Sequence, residues 1–540
     1  VGIPYKVISA PSPEYRGDIY CELRTLYSGG YEVEANAARF LPRAVNEPQM
    51  RYQERLRSCG YINYLAEITD SFVSEVFTSP LALLPAADAD DASTPGTLPS
   101  DEGYYRALQA DADLTGTALS TCLQRQLTEA LVLGRSYLLV DFPALDGQPV
   151  PATLLEEDAL GASRAYCVQL PTDALISWRK DDHDAFIWAI VKKVVPVREG
   201  PFDPPGMIRE EFKVWVREES GLVTWKVFAT PPHPVSKPPK PNDDVPLVEE
   251  GTTSFDSIPV LELVVPPGLW VGNKIGPLVR EHYQRRSALV SAQNKSLFAL
   301  PVAYLGPEMS ASGDALPAEV QQNPNRVGNG PAASMKASGF MVMGKDDKIA
   351  FEEPSGQSYE IVATQLKELV DEVHRTVSQM AASVSSTANA VGRSGDSKAL
   401  DRASTEIVVD ALAGLVKGYA KKVFDFVSRA RGESIVWQAV GLDRTDYPDR
   451  AQLLQEALAV ESIPIPSPTF IKTYKTKLAL ALIPKIDPMT SNVIRDEISD
   501  AIDAMPDPHP EPDGDEKPDD KDEKKPEDGN PKGKADVGGE

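Results

Sequence analysis

Residues 357–432 constrain this chain more than any other stretch. Val362, Leu366, Leu369, Val373, Val377 and Met380 recur at spacings of 4, 3, 4, 4 and 3. That places all six on one face of a long helix. The run from Ala381 to Ser397 that follows is built from Ala, Ser, Thr, Asn, Val and Gly, with one Arg and one Asp. A second helical pattern then presents Ala403, Ile407, Ala411, Leu415, Tyr419 and Val423 at steps of four. Two long helices around a small-residue hinge suit a mechanical element better than a catalytic pocket.

Length and charge narrow the class. A chain of 540 residues with 42% hydrophobic content holds two to four modules with sizeable cores. Its net charge is −25, so it offers no general positive field for phosphates. Contact with DNA would be local, or arranged not to hold. Cys21, Cys59, Cys122 and Cys167 are far apart and form no CxxC pair. That argues against a zinc site and a disulfide scaffold, and suits a reducing compartment. No apolar run is long enough to span a membrane, and no signal peptide is visible. The start at Val1 rather than Met suits a trimmed N-terminus.

The pattern along the chain is mixed. Tyr61, Leu65, Ile68, Phe72 and Val76 form an apolar helix face within a polar, helical first 80 residues. Residues 85–101 read as a loop. A helix from about Thr117 carries Leu119, Leu123, Leu127, Ala130 and Leu131, and Gly134 is placed to stop it in a left-handed cap. A buried strand follows over 136–142. Residues 164–265 read as strands, with two hairpins turning at Asp181–Asp184 and Glu218–Gly221, a Pro-rich loop over 230–246 and a last strand over 260–265. A third long helix runs from Pro277, at its first turn, to Pro301. The pattern dissolves between 301 and 355, apart from a suggested strand pair, 340–343 with 348–351. Shorter helices return over 447–503. From Met505 onward, thirteen acidic and six basic residues leave almost nothing to bury, and disorder is expected.

This order of elements resembles the portal proteins of tailed bacteriophages, in particular a portal-like branch long catalogued as a domain of unknown function. The likeness is carried by Leu133–Pro143, similar to that family's helix-to-strand entry, and by Tyr166–Trp178, similar to its strand with a terminal Trp. It is carried further by Ile463–Phe470 with Leu478–Pro488, similar to its C-terminal helical stretch. It covers about residues 20–500. The resemblance implies an α+β chain with the phage portal fold: wing, two-helix stem, clip insertion, tunnel loop and helical crown. The wing maps to 1–275, the stem helices to 276–300 and 356–384, the clip to 301–355 and the tunnel loop to 385–397. A long wing helix maps to 398–432, the crown to 433–504 and a disordered acidic tail to 505–540.

The same resemblance implies a homo-oligomeric ring, usually of twelve, at the portal vertex of a virion assembled in the host cytoplasm. Implied partners are the major capsid protein, the terminase large subunit, a head-completion or adaptor protein and double-stranded DNA in the channel. No membrane and no cofactor are implied. The tunnel-loop positions that would face DNA are Ser386, Thr387, Asn389, Gly392, Arg393, Ser394 and Gly395.

Other residues invite sharper readings. Arg280, Arg285, Arg286 and Lys295 make the first stem helix cationic against Glu281 alone. They suit DNA contacts, intersubunit ion pairs or plain solvation; since adjacent helical residues diverge by about 100°, Arg285 and Arg286 should not both face a channel. Asp181, Asp182, His183 and Asp184 look like metal ligands, but consecutive residues at a hairpin tip point apart, which favours a solvated turn. His282 and His374 lack a nucleophile motif and read as surface or interface histidines. Gly328-Asn-Gly330 has no preceding strand and no following Lys-Ser/Thr, so it is no phosphate loop. No GxSxG, HExxH, Walker or paired-carboxylate signature is present, so a non-enzymatic protein is expected. Another phage head or connector protein is the alternative, and an enzyme with an unrecognised hydrolase site a more remote one.

Overall fold

The computed structural model describes residues 2–45, 47–85, 102–143, 164–198, 206–253, 255–296, 300–304, 348–352, 357–380, 397–442, 467–482 and 488–503. They fall into two compact units, Val1–Thr445 and Asp446–Glu540. The first opens with helices α1 (Gly17–Ser28), α2 (Gln49–Ser58) and α3 (Tyr64–Val76), then strand β1 (Ala82–Pro85), α4 (Glu102–Ala110) and α5 (Leu119–Leu133). The face anticipated on α3 is the buried one: Leu65, Phe72 and Val76 are almost fully covered. Asn63 caps it, its side chain accepting from the Ala66 amide at 3.1 Å. Gly134 ends α5 in the left-handed conformation, its N–H donating to the Ala130 carbonyl.

Strands follow: β2 (Arg135–Asp141), β3 (Tyr166–Leu170), β4 (Leu175–Lys180), β5 (Phe186–Pro196), β6 (Met207–Arg217), β7 (Val223–Ala229), β8 (Leu247–Thr253) and β9 (Val260–Val264). They form two antiparallel sheets. One has the path β8-β7-β6-β5-β4; the other is β9-β2-β3. The stretch Tyr166–Trp178, read as one strand, is therefore two strands in different sheets. Thr172 marks the break: its amide and hydroxyl both donate to Glu129 of α5. The loop expected over 230–246 contains two short strands, His233–Pro234 and Asp244–Val245. Edge strand β8 escaped the sequence reading because Val248 and its neighbours alternate weakly and stay exposed.

The long helix α6 spans Val271–Ser296, six residues earlier than Pro277 suggested; Pro277 lies inside it. Pro301, expected to close that helix, belongs to β10 (Leu300–Tyr304), which pairs antiparallel with β11 (Lys348–Glu352). The 348–351 strand thus has a different partner from the one expected, and 340–343 lies outside the described residues. Helices α7 (Gln357–Met380) and α8 (Ser397–Ala430) follow. On α8 the buried stripe is Val408, Leu412, Val416, Tyr419, Ala420, Val423 and Phe424, while Ile407, Ala411 and Leu415 stay half-exposed. Steps of four turn about 400°, so the expected row drifts across the face by about 40° per step.

Strand β12 (Trp437–Val440) pairs with β1 and so belongs to the first unit. The region from 433, assigned wholly to a helical crown, therefore begins in the body. The second unit is described through α9 (Pro468–Leu482) and α10 (Pro488–Asp503), which pack on each other. The loop expected over 85–101, apart from Pro85, and the tail expected from 505 lie outside the described residues.

The root of α6 is fitted tightly to the end of α5. Trp270 Nε1 donates to the Val132 carbonyl at 3.0 Å. A Cβ on Gly272 would sit 1.9 Å from that same oxygen, whereas one on Gly418 of α8 would meet nothing within 4 Å. Gly272→Ala should lower stability in urea unfolding by about 1–3 kcal/mol or more. Gly418→Ala should raise it by about 0.5–1 kcal/mol. Equal effects would contradict this packing.

Candidate functional site

The candidate site is the pair of long helices α6 and α7. One side of α6 enters the body: Val271, Ile275, Val279 and Tyr283, at steps of four, are 1% exposed or less. Tyr283 meets the Tyr61 ring edge-on at 5.5 Å, and Arg55 of α2 donates to Ser287 Oγ at 3.4 Å. Burial pushes the Tyr283 phenol up to about 12. The other side meets α7, with its chain direction reversed. Arg285 donates to Gln365 Oε1 at 2.8 Å, and one turn back His282 shares a hollow of about 400 Å³ with Leu366, Lys367, Val370 and Asp371.

On α7 the apolar stripe is unevenly covered. Val373 and Met380 are buried; Val362, Leu366, Leu369 and Val377 are half-exposed. The helix is therefore anchored at its C-terminal end, and its N-terminal turns leave the body. Where α6 and α7 face away from the body, β10 and β11 join them as a hairpin base for residues 305–347.

The expected cations fare differently. Arg280 pairs with Glu22 of α1 at 2.9 Å. Arg285 pairs with Glu281 at 2.5 Å, one turn earlier on its own helix, as well as with Gln365. Arg286 is half-buried beside His282, whose pKa burial first and this charge second lower, and beside Cys59, whose thiol burial pushes up against that charge; no carboxylate pairs with Arg286 among the described residues. Lys295 is on the last turn of α6, its side chain outside the description. The tunnel-loop positions Ser386, Thr387, Asn389, Gly392, Arg393, Ser394 and Gly395 all lie outside the described residues. The Arg285–Gln365 contact was not legible in the sequence, since nothing in the spacing of residues 80 apart links them.

The remaining candidates form no reactive constellation among the described residues. Asp181 closes its hairpin: Oδ1 accepts the amides of His183 and Ala185, and Arg217 sits 2.5 Å from Oδ2. That arginine first, and the amides after it, hold the Asp181 carboxyl down to about 2. Among the described residues no three His, Cys, Asp or Glu side chains converge as a metal site. None of the described helices is long and apolar enough to cross a membrane. His374 is exposed and does not line the hollow at His282. A second hollow of about 560 Å³ lies between α1, α3 and α5. Its Asp70 and Glu129 already accept from Tyr27, Arg24 and Gln169.

His282 gives the stem a pH signature. Burial first, and the Arg286 charge second, hold its pKa below the ordinary 6.5. Between the folded and unfolded values the unfolded chain binds more protons. The contribution to stability is thus complete above about pH 6.5 and is lost as pH falls through the folded value. Unfolding measured between pH 5 and 7 should show a flatter acid limb in His282→Gln; an unchanged slope would contradict the placement.

No family model matches the chain, and no curated protein does. A number of solved structures show a distant likeness, among them the following three. A chain in the neck of the empty GTA particle, computed with C6 symmetry, is 14% identical, with 79% of this chain and 94% of that one covered at a TM-score of 0.34. A chain in the virion of the native gene transfer agent (GTA) particle is 14% identical, covering 78% and 89% at 0.31. A chain in the neck of the native GTA particle, computed with C12 symmetry, is 12% identical, covering 82% and 96% at 0.36. Likeness this distant carries neither a fold nor a role over to the present chain.

Proposed function

We propose that this chain is a portal subunit of a tailed bacteriophage or phage-like particle. Copies form a ring at one capsid vertex. The ring is the channel for genome packaging and ejection, and the platform on which the terminase motor and the head-completion proteins dock. One observation carries the reading. Two long antiparallel helices rise from an α+β body, are joined by a β-hairpin base, and are followed by a 34-residue helix that returns through the body's core. A catalytic protein has no need of that arrangement. A conduit needs it, because a ring of helix pairs makes a wall and leaves the insertion beyond the hairpin free to meet other proteins.

Two further features support it. Half-exposed apolar positions on the departing turns of α7 ask for a cover that a neighbouring copy would supply. Net charge of −25 disfavours gripping the phosphates of a passing duplex. In this reading residues 385–397 are the loop that meets DNA, with Arg393 its single cation.

Purified protein should form a closed ring, most simply of twelve copies of 58.7 kDa, about 0.7 MDa. Native mass measurement and negatively stained images test this; a monodisperse monomer across salt conditions overturns it. Within rings, Gly392→Pro with Gly395→Pro should spare assembly and lower packaging or retention of DNA. Normal genome filling in that double variant would remove the loop's role.

A further inference from the structure

The outgoing stem helix α6 is the middle layer of three. Ser287 receives Arg55 of α2 on one side, and Arg285 reaches Gln365 of α7 on the other. Residues two apart on a helix point about 200° apart, so α2 and α7 cover nearly opposite sides. Each keeps an outer face. On α2 that face shows Met50, 76% exposed, with Arg51 and Arg57 against the single acid Glu54. On α7 it shows Ile361, 58% exposed, with Glu360 and Glu368, while Lys367 and Asp371 turn to the hollow at His282. Arg375 is taken by Glu372. Among the described residues no carboxylate pairs with Arg51 or Arg57, and no cation pairs with Glu360, Glu368 or Asp371.

Copies of a chain with net charge −25 repel one another by default. A cationic face is the exception, and its complement stands on the far side of the same three-helix slab. Two different, complementary faces on opposite sides of one body make a heterologous contact, the kind that closes into a ring when each step adds a rotation.

We propose that helix Gln49–Ser58 of one copy docks on the outer face of helix Gln357–Met380 of the next. Met50 and Ile361 supply the apolar contact. Arg51 and Arg57 opposite Glu360 and Glu368 set its direction. The proposal rests on the ring reading and names the contact that would build it.

Charge exchange tests it on the full chain. Arg51→Glu with Arg57→Glu makes both faces acidic; Glu360→Arg with Glu368→Arg makes both basic. Each double variant, folded by circular dichroism, should need at least about tenfold more protein to form rings in mass photometry, since like charges would then be juxtaposed. An equimolar mixture of the two should assemble again as alternating copies, and so should one chain carrying all four changes. The rescue should weaken as salt screens it. Wild-type rings alongside double variants that assemble at the wild-type concentration would overturn the docking and leave the ring intact. A folded mixture and a folded fourfold variant that both stay apart would overturn it too. A wild-type protein that never leaves the monomer would remove the ring reading and the contact together.

Discussion

The first unit is organised around the burial of one helix, Ser397–Ala430. Val408, Leu412, Val416, Ala420, Val423, Phe424 and Val427 are 1% exposed or less. Fully covering a side chain of this size stabilises by roughly 1.5–3 kcal/mol, so the helix is held along several turns rather than at one contact. Tyr419, within the same face, donates to the Leu261 carbonyl at 3.1 Å and ties the helix to strand β9. Phe424 and Trp437 close around Tyr105, bringing in α4 and β12. Val271, Ile275 and Val279 from α6 and Val373 and Met380 from α7 belong to this same core. The helix pair is therefore no appendage, and a load on α6 or α7 is passed straight into the packing around α8.

One buried charge cluster joins the two sheets. Glu262 of β9, 7% exposed, faces Arg135 of β2 at 3.3 Å and Lys180 of β4. Trp178 and Phe186 present their rings to those two cations. Removing charges from water is costly, so such a cluster is weak support for net stability. Its value is selective. β9 and β2 are in one sheet and β4 is in the other, and a slip of one residue would turn Glu262 to the opposite face and strand both cations.

Much of this architecture could be read from spacing alone, because long amphipathic helices and tight hairpins announce themselves locally. Leu65, Phe72 and Val76 lie where their period puts them, Gly134 takes the left-handed cap, and both hairpins turn at the expected residues. What spacing could not reach depends on partners far along the chain. β1 with β12 and β10 with β11 are paired across hundreds or tens of residues by short apolar runs that have no period of their own. The start of α6 was missed because Pro277 reads as a first-turn residue, whereas it lies in the second turn, where the helix forgoes the bond that an N–H there would make to the Asn273 carbonyl. Of the candidate site, the existence of cations on α6 was legible. Their partners were not: Glu22 lies 258 residues from Arg280 and comes from another helix.

Those partners change what the stem's positive charge means. Four basic residues against one acid suited DNA contacts, intersubunit ion pairs or plain solvation alike, and Arg280 and Arg285 are each committed to a carboxylate within the subunit. Exposed pairs of this kind contribute only about 0–1 kcal/mol each, but they cancel field at short range. A phosphate approaching such a helix meets dipoles rather than free cations. Arg286 is different in kind: it is half-buried, lacks a carboxylate among the described residues, and depresses the basicity of His282 next to it. Counterion release scales with the number of phosphates neutralised. In the proposed ring, a wall on which Arg280 and Arg285 are paired internally would bind duplex more weakly, and with a shallower salt dependence, than one with both free. Weak, sequence-blind contact is what a moving duplex requires, and in that reading charge pairing within the subunit would contribute to it.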